Sequence, residues 1–136
     1  MLGVIGLVGA GRTETMRAIF GADPLAAGEI YIEGQQVHIK NARDAIKKGV
    51  VLITENRKEE GLILIHDVIE NGTIVTMKQF RNKFGLIDNK KRRKMVEEYG
   101  NYLNLRPMQP EKQAVNFSGG NQQKIVILKW LLSGAK

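Results

Sequence analysis

The sequence predicts an α/β fold, and three features carry that expectation. A short apolar run at 2–8 passes straight into a glycine-rich loop and then into a helix-forming stretch. A hairpin pattern at 28–40 is followed by a continuous apolar run at 50–53, and beyond residue 67 the character turns mostly helical. Period-two alternation marks half-buried strands, short unbroken apolar runs mark strands covered on both faces, and spacings of three and four mark helices.

Taken in order, Leu2 to Val8 reads as a β-rich strand, and Thr13 to Phe20 as a helix stopped by Gly21 with Pro24 just beyond. Ile30 and Ile32 alternate with polar neighbours, Glu33-Gly34 supplies a turn, and Val37 and Ile39 continue the alternation, which makes Gly28 to Lys40 a hairpin. Asn41 to Lys48 reads as a short helix ended by Gly49, and Val50 to Ile53 as a buried strand. From Asp67 to Leu105 the pattern is helical around a loop at Phe84 to Ile87. Asp88 caps a helix that places Met95, Tyr99, Tyr102 and Leu103 on one face, with Gly100 as a weak point and Pro107 and Pro110 beyond its end. Ser118 to Leu132 is a further helix, apolar from Ile125 onward. There is no internal repeat and no low-complexity segment.

The 136 residues suffice for one domain with a core, and 43% hydrophobic with 26% charged residues are globular values. Without cysteine, no disulfide framework or thiolate metal site arises, and a reducing cytoplasmic setting fits. No run approaches the ~20 apolar residues of a membrane span. Met1 to Ala10 is broken by glycines and lacks a preceding basic segment, so it does not read as a signal peptide, and membrane association is expected through a partner. A net charge of +7 suits an anionic partner; nucleotide, nucleic acid and acidic lipid all qualify.

The loop after the first strand carries the most chemistry. Gly6, Gly9, Ala10, Gly11, Arg12, Thr13 and Glu14 match the spacing of a phosphate-binding loop, with arginine where lysine is usual. Glycines let backbone amides turn toward phosphate oxygens, a helix starting near Arg12 aims its unpaired amides at the same anion, and the Thr13 hydroxyl is placed to ligate magnesium. The alternative is a glycine-rich turn that only packs a helix close to a strand. Because the planar guanidinium is bulkier than an ammonium, Arg12 is expected to bind nucleotide but to handle a γ-phosphate poorly.

Near the other end, Asn116-Phe-Ser-Gly-Gly-Asn-Gln-Gln-Lys124 places Ser118, Gly119 and Gly120 at the start of a helix. Such a start is either a second anion site or an ordinary serine-capped helix.

The phosphate loop, the hairpin Gly28 to Gly34 and the segment Phe117-Ser-Gly-Gly-Asn121 together resemble the ATP-binding cassettes of ABC transporters. More narrowly, Gly-Ala-Gly-Arg-Thr-Glu at 9–14, Thr-Glu-Asn-Arg-Lys at 54–58 and Ser-Gly-Gly-Asn-Gln-Gln-Lys at 118–124 resemble the second cassette of tandem monosaccharide-importer ATPases. The resemblance spans essentially the whole chain. It implies an incomplete cassette at 1–136, with a P-loop core and β subdomain at 1–66, a helical subdomain at 67–117 and the signature helix at 118–136. It further implies ATP and Mg2+ as cofactors, with Gly6 and Gly9 to Glu14 around the nucleotide and Thr13 at the metal. Glu55 falls where such cassettes carry the Q-loop glutamine that contacts magnesium. A carboxylate there can ligate the metal but repels phosphate; otherwise Glu55 is a solvated acid paired with Arg57 or Lys58. Ser118, Gly119, Gly120, Asn121 and Gln122 would meet a nucleotide held by an opposing cassette. The implied partners are that second cassette and transmembrane permease subunits, and the implied location is the cytoplasmic face of the bacterial inner membrane.

In such cassettes an apolar strand with the Walker B aspartate and a glutamate would follow Lys136. The chain by itself is therefore expected to show negligible ATPase activity, with no catalytic residue of its own, and to self-associate through unpaired strand edges. His38 and His66 read as ordinary surface or edge residues. Two other readings compete: a nucleic-acid-binding module, from the run Lys90-Lys-Arg-Arg-Lys94, and a small P-loop kinase. For the run, a solvated helix face is the stronger reading, and no nucleic-acid partner is expected. A regulatory nucleotide site with little hydrolysis of its own is a further possibility, motivated by Arg12 and Glu55.

Overall fold

The computed structural model describes residues 3–7 and 9–134, which form two compact units, 3–52 and 53–134. In the first unit, β1 (Ile30–Ile32) pairs antiparallel with β2 (Gln35–Val37), setting Ile30 against Val37 and Ile32 against Gln35. The expected hairpin turn is present. Glu33 and Gly34 take φ of 51° and 78°, the doubly left-handed pair whose twist suits a two-residue connection.

Helix α1 (Arg12–Phe20) ends as expected at Gly21, whose φ is 75°. The Gly21 and Ala22 amides donate back to Ala18 and Arg17 carbonyls at 3.0 and 2.8 Å. A Cβ on Gly21 would stand 2.8 Å from both Ile39 Cγ2 and the Asn41 backbone, so glycine alone lets α1 close onto the chain that follows the hairpin. Arg17 grips Asp23 through two hydrogen bonds, 2.8 and 3.2 Å, which hold the Asp23 carboxyl below its ordinary range. Helix α2 (Ala42–Lys47) begins where predicted, its Asp44 amide donating to the Asn41 side chain at 3.1 Å. Among the described residues, Phe20, Ile39 and Ala45 are the buried apolar residues of this unit.

Two expected strands do not form among the described residues. Residues 3–7 form no strand, with Ile5 97% exposed, while Leu2 and Val8 lie outside the described residues. The run Val50 to Ile53 joins no ladder either. An apolar run becomes a strand only when a neighbour supplies its hydrogen bonds, and among the described residues the sheet is the β1–β2 pair alone.

The second unit is helical. Asp67 and Glu70 form a reciprocal capping box for α3 (Val68–Thr73), which leads into a 3-10 helical stretch at Ile74–Phe80 kinked at Thr76. Asp88 caps α4 (Asn89–Tyr102) by accepting from the Lys91 amide at 2.9 Å, and α5 covers Gly119–Leu132. Val68, Val96, Leu105, Ile125 and Leu128 are fully buried where α3, α4 and α5 meet.

The buried face of α4 differs from the expected one. It centres on Val96 and Gly100, and Tyr102 is exposed. Gly100 does not break the helix; a Cβ there would sit 2.5 Å from Met108 Sδ, so the residue marks a close approach. Gly72 plays the same part on α3, where a side chain would run into Leu128.

Two buried polar groups tie loops to this core. Asn71 accepts from the Ile63 amide at 2.8 Å and donates to the carbonyls of Ile63, His66 and Asp67 at 3.0, 3.1 and 3.0 Å. Lys129 donates to the Gly61 carbonyl at 2.7 Å, beside the Trp130 ring. Burial pushes the Lys129 ammonium below its ordinary pKa. The unfolded chain therefore binds more protons in the window below the ordinary lysine value. The stability tied to this group is full above that value and is lost as pH falls through the folded-state pKa. In urea titrations, the stability of wild type relative to Lys129→Met should rise as pH climbs toward the ordinary lysine value, about 10; a difference independent of pH contradicts this.

Candidate functional site

Two helix starts without a side-chain cap, one in each unit, carry the residues expected to meet phosphate. In the first, the loop before α1 turns on Gly9 and Gly11, both left-handed at φ 82° and 75°. The Ala10 amide donates to the Leu7 carbonyl at 3.1 Å and tightens the turn. Helix bonding starts at the Thr15 amide, which reaches the Gly11 carbonyl at 3.0 Å, so Arg12, Thr13 and Glu14 occupy the first three helical positions, whose amides have no partner within the helix. No side chain caps this end, and the Thr15 hydroxyl turns away to Gly11 O at 2.8 Å.

The loop has room for an anion. A Cβ at Gly9 or Gly11 would meet nothing within 4 Å, so both glycines face open space. Across it, the Arg12 side chain arches back over Gly6, placing its Cδ and Nε 3.5 and 3.7 Å from where a Gly6 Cβ would stand. The guanidinium thus lies along the loop, and Thr13 and Glu14 remain exposed. These residues fit a polyphosphate: free amides, a fixed positive helix end and a cation on a flexible stem. They also fit the magnesium that accompanies it, because that ion needs only one protein hydroxyl besides phosphate and water. Accordingly, the lack of a cluster of three metal-ligating side chains among the described residues does not count against it.

In the second unit, Ser118 stands at the N-cap of α5, but its side chain caps no helix amide. Instead Ser118 Oγ accepts from Asn121 Nδ2 at 3.1 Å. Asn121 also clasps the Arg106 backbone, donating to its carbonyl at 2.6 Å and accepting from its amide at 3.2 Å. Gln122 is buried and donates to the Ala114 carbonyl at 3.1 Å, so its side chain serves the fold. Ser118 and Gly120 are left exposed at the helix start, and a Cβ on Gly120 would meet nothing within 4 Å.

Glu55 is exposed, and among the described residues neither Arg57 nor Lys58 forms the ion pair with it that the alternative reading calls for. Arg57 turns the other way. It begins the π-helical turn Arg57–Gly61, donates from Nε to Gln122 Oε1 at 3.4 Å and lies so close over Gly119 that a Cβ there would be 2.5 Å from Nη2. A guanidinium thus stands beside the first amides of α5. Sequence reasoning missed this residue as part of the site, because its partners lie more than sixty positions away; the only signal was its place in the run Thr54 to Lys58. His38 is exposed just past β2, and His66 Nδ1 lies 3.8 Å from Glu70.

A model of the ABC transporter family matches residues 1–136. The chain is 47% identical over 136 residues to the ribose import ATP-binding protein RbsA of Bacillus licheniformis, and 48% identical over 136 residues to that of Bacillus subtilis. Each match covers 100% of this chain and 27% of the relative, so the chain spans about a quarter of the length of the curated relatives it matches. Among solved structures, the ATP-binding cassette MJ0796, in a dimeric post-hydrolysis state bound to ADP and Pi, superposes with a TM-score of 0.70 at 20% identity. That match covers 95% of this chain and 54% of the other, and it shows a shared cassette fold.

Proposed function

The chain belongs to the ABC transporter family, and from that premise we propose that it is the phosphate-loop and signature portion of the ATP-binding subunit of a sugar importer. The observation that carries the proposal is the left-handed Gly9–Gly11 turn, which opens α1 onto free space with three amides unengaged within the helix. In this reading Gly6 and Gly9 to Glu14 hold the phosphates of ATP, and Thr13 ligates Mg2+, which neutralises phosphate charge when bound. Ser118, Gly119 and Gly120 face the nucleotide of a second cassette. Asn121, Gln122 and Arg57 hold that turn in shape, the first on Arg106 and the other two on each other. The relatives are named ribose import ATP-binding proteins, which supports a monosaccharide as the cargo class and permease subunits at the cytoplasmic face of the inner membrane as the partners. Among the described residues no helix is long and apolar enough to cross a membrane.

Arg12 favours a second reading of the same site. With its stem folded over Gly6, the guanidinium is poised to hold phosphate without sitting as an ammonium between the β- and γ-positions. The site then serves mainly to bind and regulate, and Glu55, exposed and unpaired, adds no charge stabilisation for phosphate. Titration of ATP and ADP with magnesium tests this directly. Arg12→Lys should tighten ATP relative to ADP by about tenfold, or about 1.4 kcal/mol. Equal shifts for both nucleotides would remove the basis for a regulatory role.

A further inference from the structure

The basic run at the start of α4 has no part in the nucleotide reading, and its surroundings give it another use. The loop 81–87 projects two large apolar side chains, Phe84 at 88% exposure and Leu86 at 66%, on either side of Gly85. The loop is held in shape. Asn82 Oδ1 accepts from the amides of Phe84 and Leu86 at 2.9 and 3.0 Å, the Asn82 amide donates to Leu86 O at 2.8 Å, and an Arg81–Ile87 bridge closes the base. The Asp88 amide then donates to Phe80 O at 2.7 Å, fixing the loop to the first turn of α4.

The charges around it divide into two sets. Arg92 is spent on the Thr73 hydroxyl and Asn89, Arg93 on Glu97 and Glu111, and Lys91 lies over the Phe80 ring. Arg81, Lys83, Lys90 and Lys94 are exposed, and among the described residues no side-chain hydrogen bond or ion pair engages them. The only carboxylate in 81–94, Asp88, is occupied as the helix cap. An ordinary solvated helix face accounts for the lysines but not for a braced apolar pair set among them.

We propose that the loop 81–87 and the first turns of α4 dock on an anionic lipid surface, with Phe84 and Leu86 in the interfacial layer and Arg81, Lys83, Lys90 and Lys94 on lipid phosphates. Exposed apolar tips flanked along the chain by exposed long basic side chains fit a bilayer interface, where the tips bury among acyl chains and the cations reach the headgroups. A nucleic acid would use the same cations but has no layer to receive Leu86. The proposal stands apart from the nucleotide site, and its variants should bind ATP as the wild type does.

The test is flotation of the chain with vesicles of phosphatidylcholine, alone or with about 30% phosphatidylglycerol, at low salt. The chain should float with the mixed vesicles and not with phosphatidylcholine alone. The double substitution F84S/L86S should lower partitioning about tenfold or more, and K83E/K90E/K94E should abolish it, each basic residue near such a surface being worth roughly fivefold. A second readout does not depend on those variants folding. With the single tryptophan replaced (Trp130→Phe), Phe84→Trp should shift its emission to the blue on mixed vesicles. Any of three results overturns the proposal: no flotation, F84S/L86S floating like wild type, or an unshifted Phe84→Trp emission with a duplex oligonucleotide displacing the chain from vesicles.

Discussion

Replacing Gly11 with valine should weaken nucleotide binding at the proposed phosphate loop by about 100-fold. Gly11 sits at φ 75° immediately before α1, a conformation that a β-branched residue adopts only under strain. A side chain there would also fill the open space through which a phosphate must approach the Arg12 to Glu14 amides. Both effects act against the bound state, and affinity for a fluorescent ATP analogue should fall by about 100-fold or more, about 2.7 kcal/mol. The hairpin and the second unit are untouched, so far-ultraviolet circular dichroism should stay close to wild type. Unchanged affinity in the folded variant would remove the loop from the site.

The largest loss of stability is expected at Asn71, tested first by Asn71→Leu. The Asn71 side chain makes four hydrogen bonds to the backbone between Ile63 and Asp67, and it does so at 2% exposure. Leucine is close in size but leaves the Ile63 amide and the three carbonyls without that partner. Each carbonyl keeps a backbone donor, the His66 amide on Ile63 O, the Ala114 amide on His66 O and the Asn71 amide on Asp67 O. The Ile63 amide alone is left unsatisfied, at about 1–3 kcal/mol, and with the lost donor bonds the expected loss is about 2–3 kcal/mol. Urea unfolding measures it. Asn71→Asp keeps the acceptor for the Ile63 amide but sets a buried carboxylate oxygen against the three carbonyls, so at neutral pH it should be at least as destabilising as leucine. A change below about 1 kcal/mol for the leucine variant would contradict the assignment of these bonds as a tie between loop and core.

What the sequence made legible was local. The Glu33-Gly34 turn, the Gly21 stop, and the Asn41 and Asp88 caps are each fixed by residues within four positions, and each stands where the pattern places it. The glycine turn at 9–11 and the start of α1 belong to the same class, since they are contiguous. Features set by distant partners were read wrongly or not at all. Val50 to Ile53 has strand composition, yet a ladder needs a neighbour that composition does not name. The face of α4 turned on Val96 and Gly100 because α3 and α5 press there, and the tyrosines, amphipathic, stay nearer to water. Ser118 has the usual residue type for a helix cap, but Asn121 takes its hydroxyl. Arg57 over Gly119 and Lys129 on Gly61 join segments more than sixty residues apart. No periodicity reports such pairs. Asn71 left a faint trace, a poor helix former inside a short helix, and its four backbone bonds give the reason.

The central claim is that residues 9–14 form a nucleotide phosphate site, and amide-resolved nuclear magnetic resonance tests it most directly. On titration of the chain with ATP and magnesium, the amide signals of Gly9, Gly11, Arg12, Thr13 and Glu14 should shift together along one saturable curve, and inorganic phosphate should reproduce part of the pattern at higher concentration. Shifts confined to the basic segment Lys90 to Lys94, or no saturable shift at the loop, would contradict the claim.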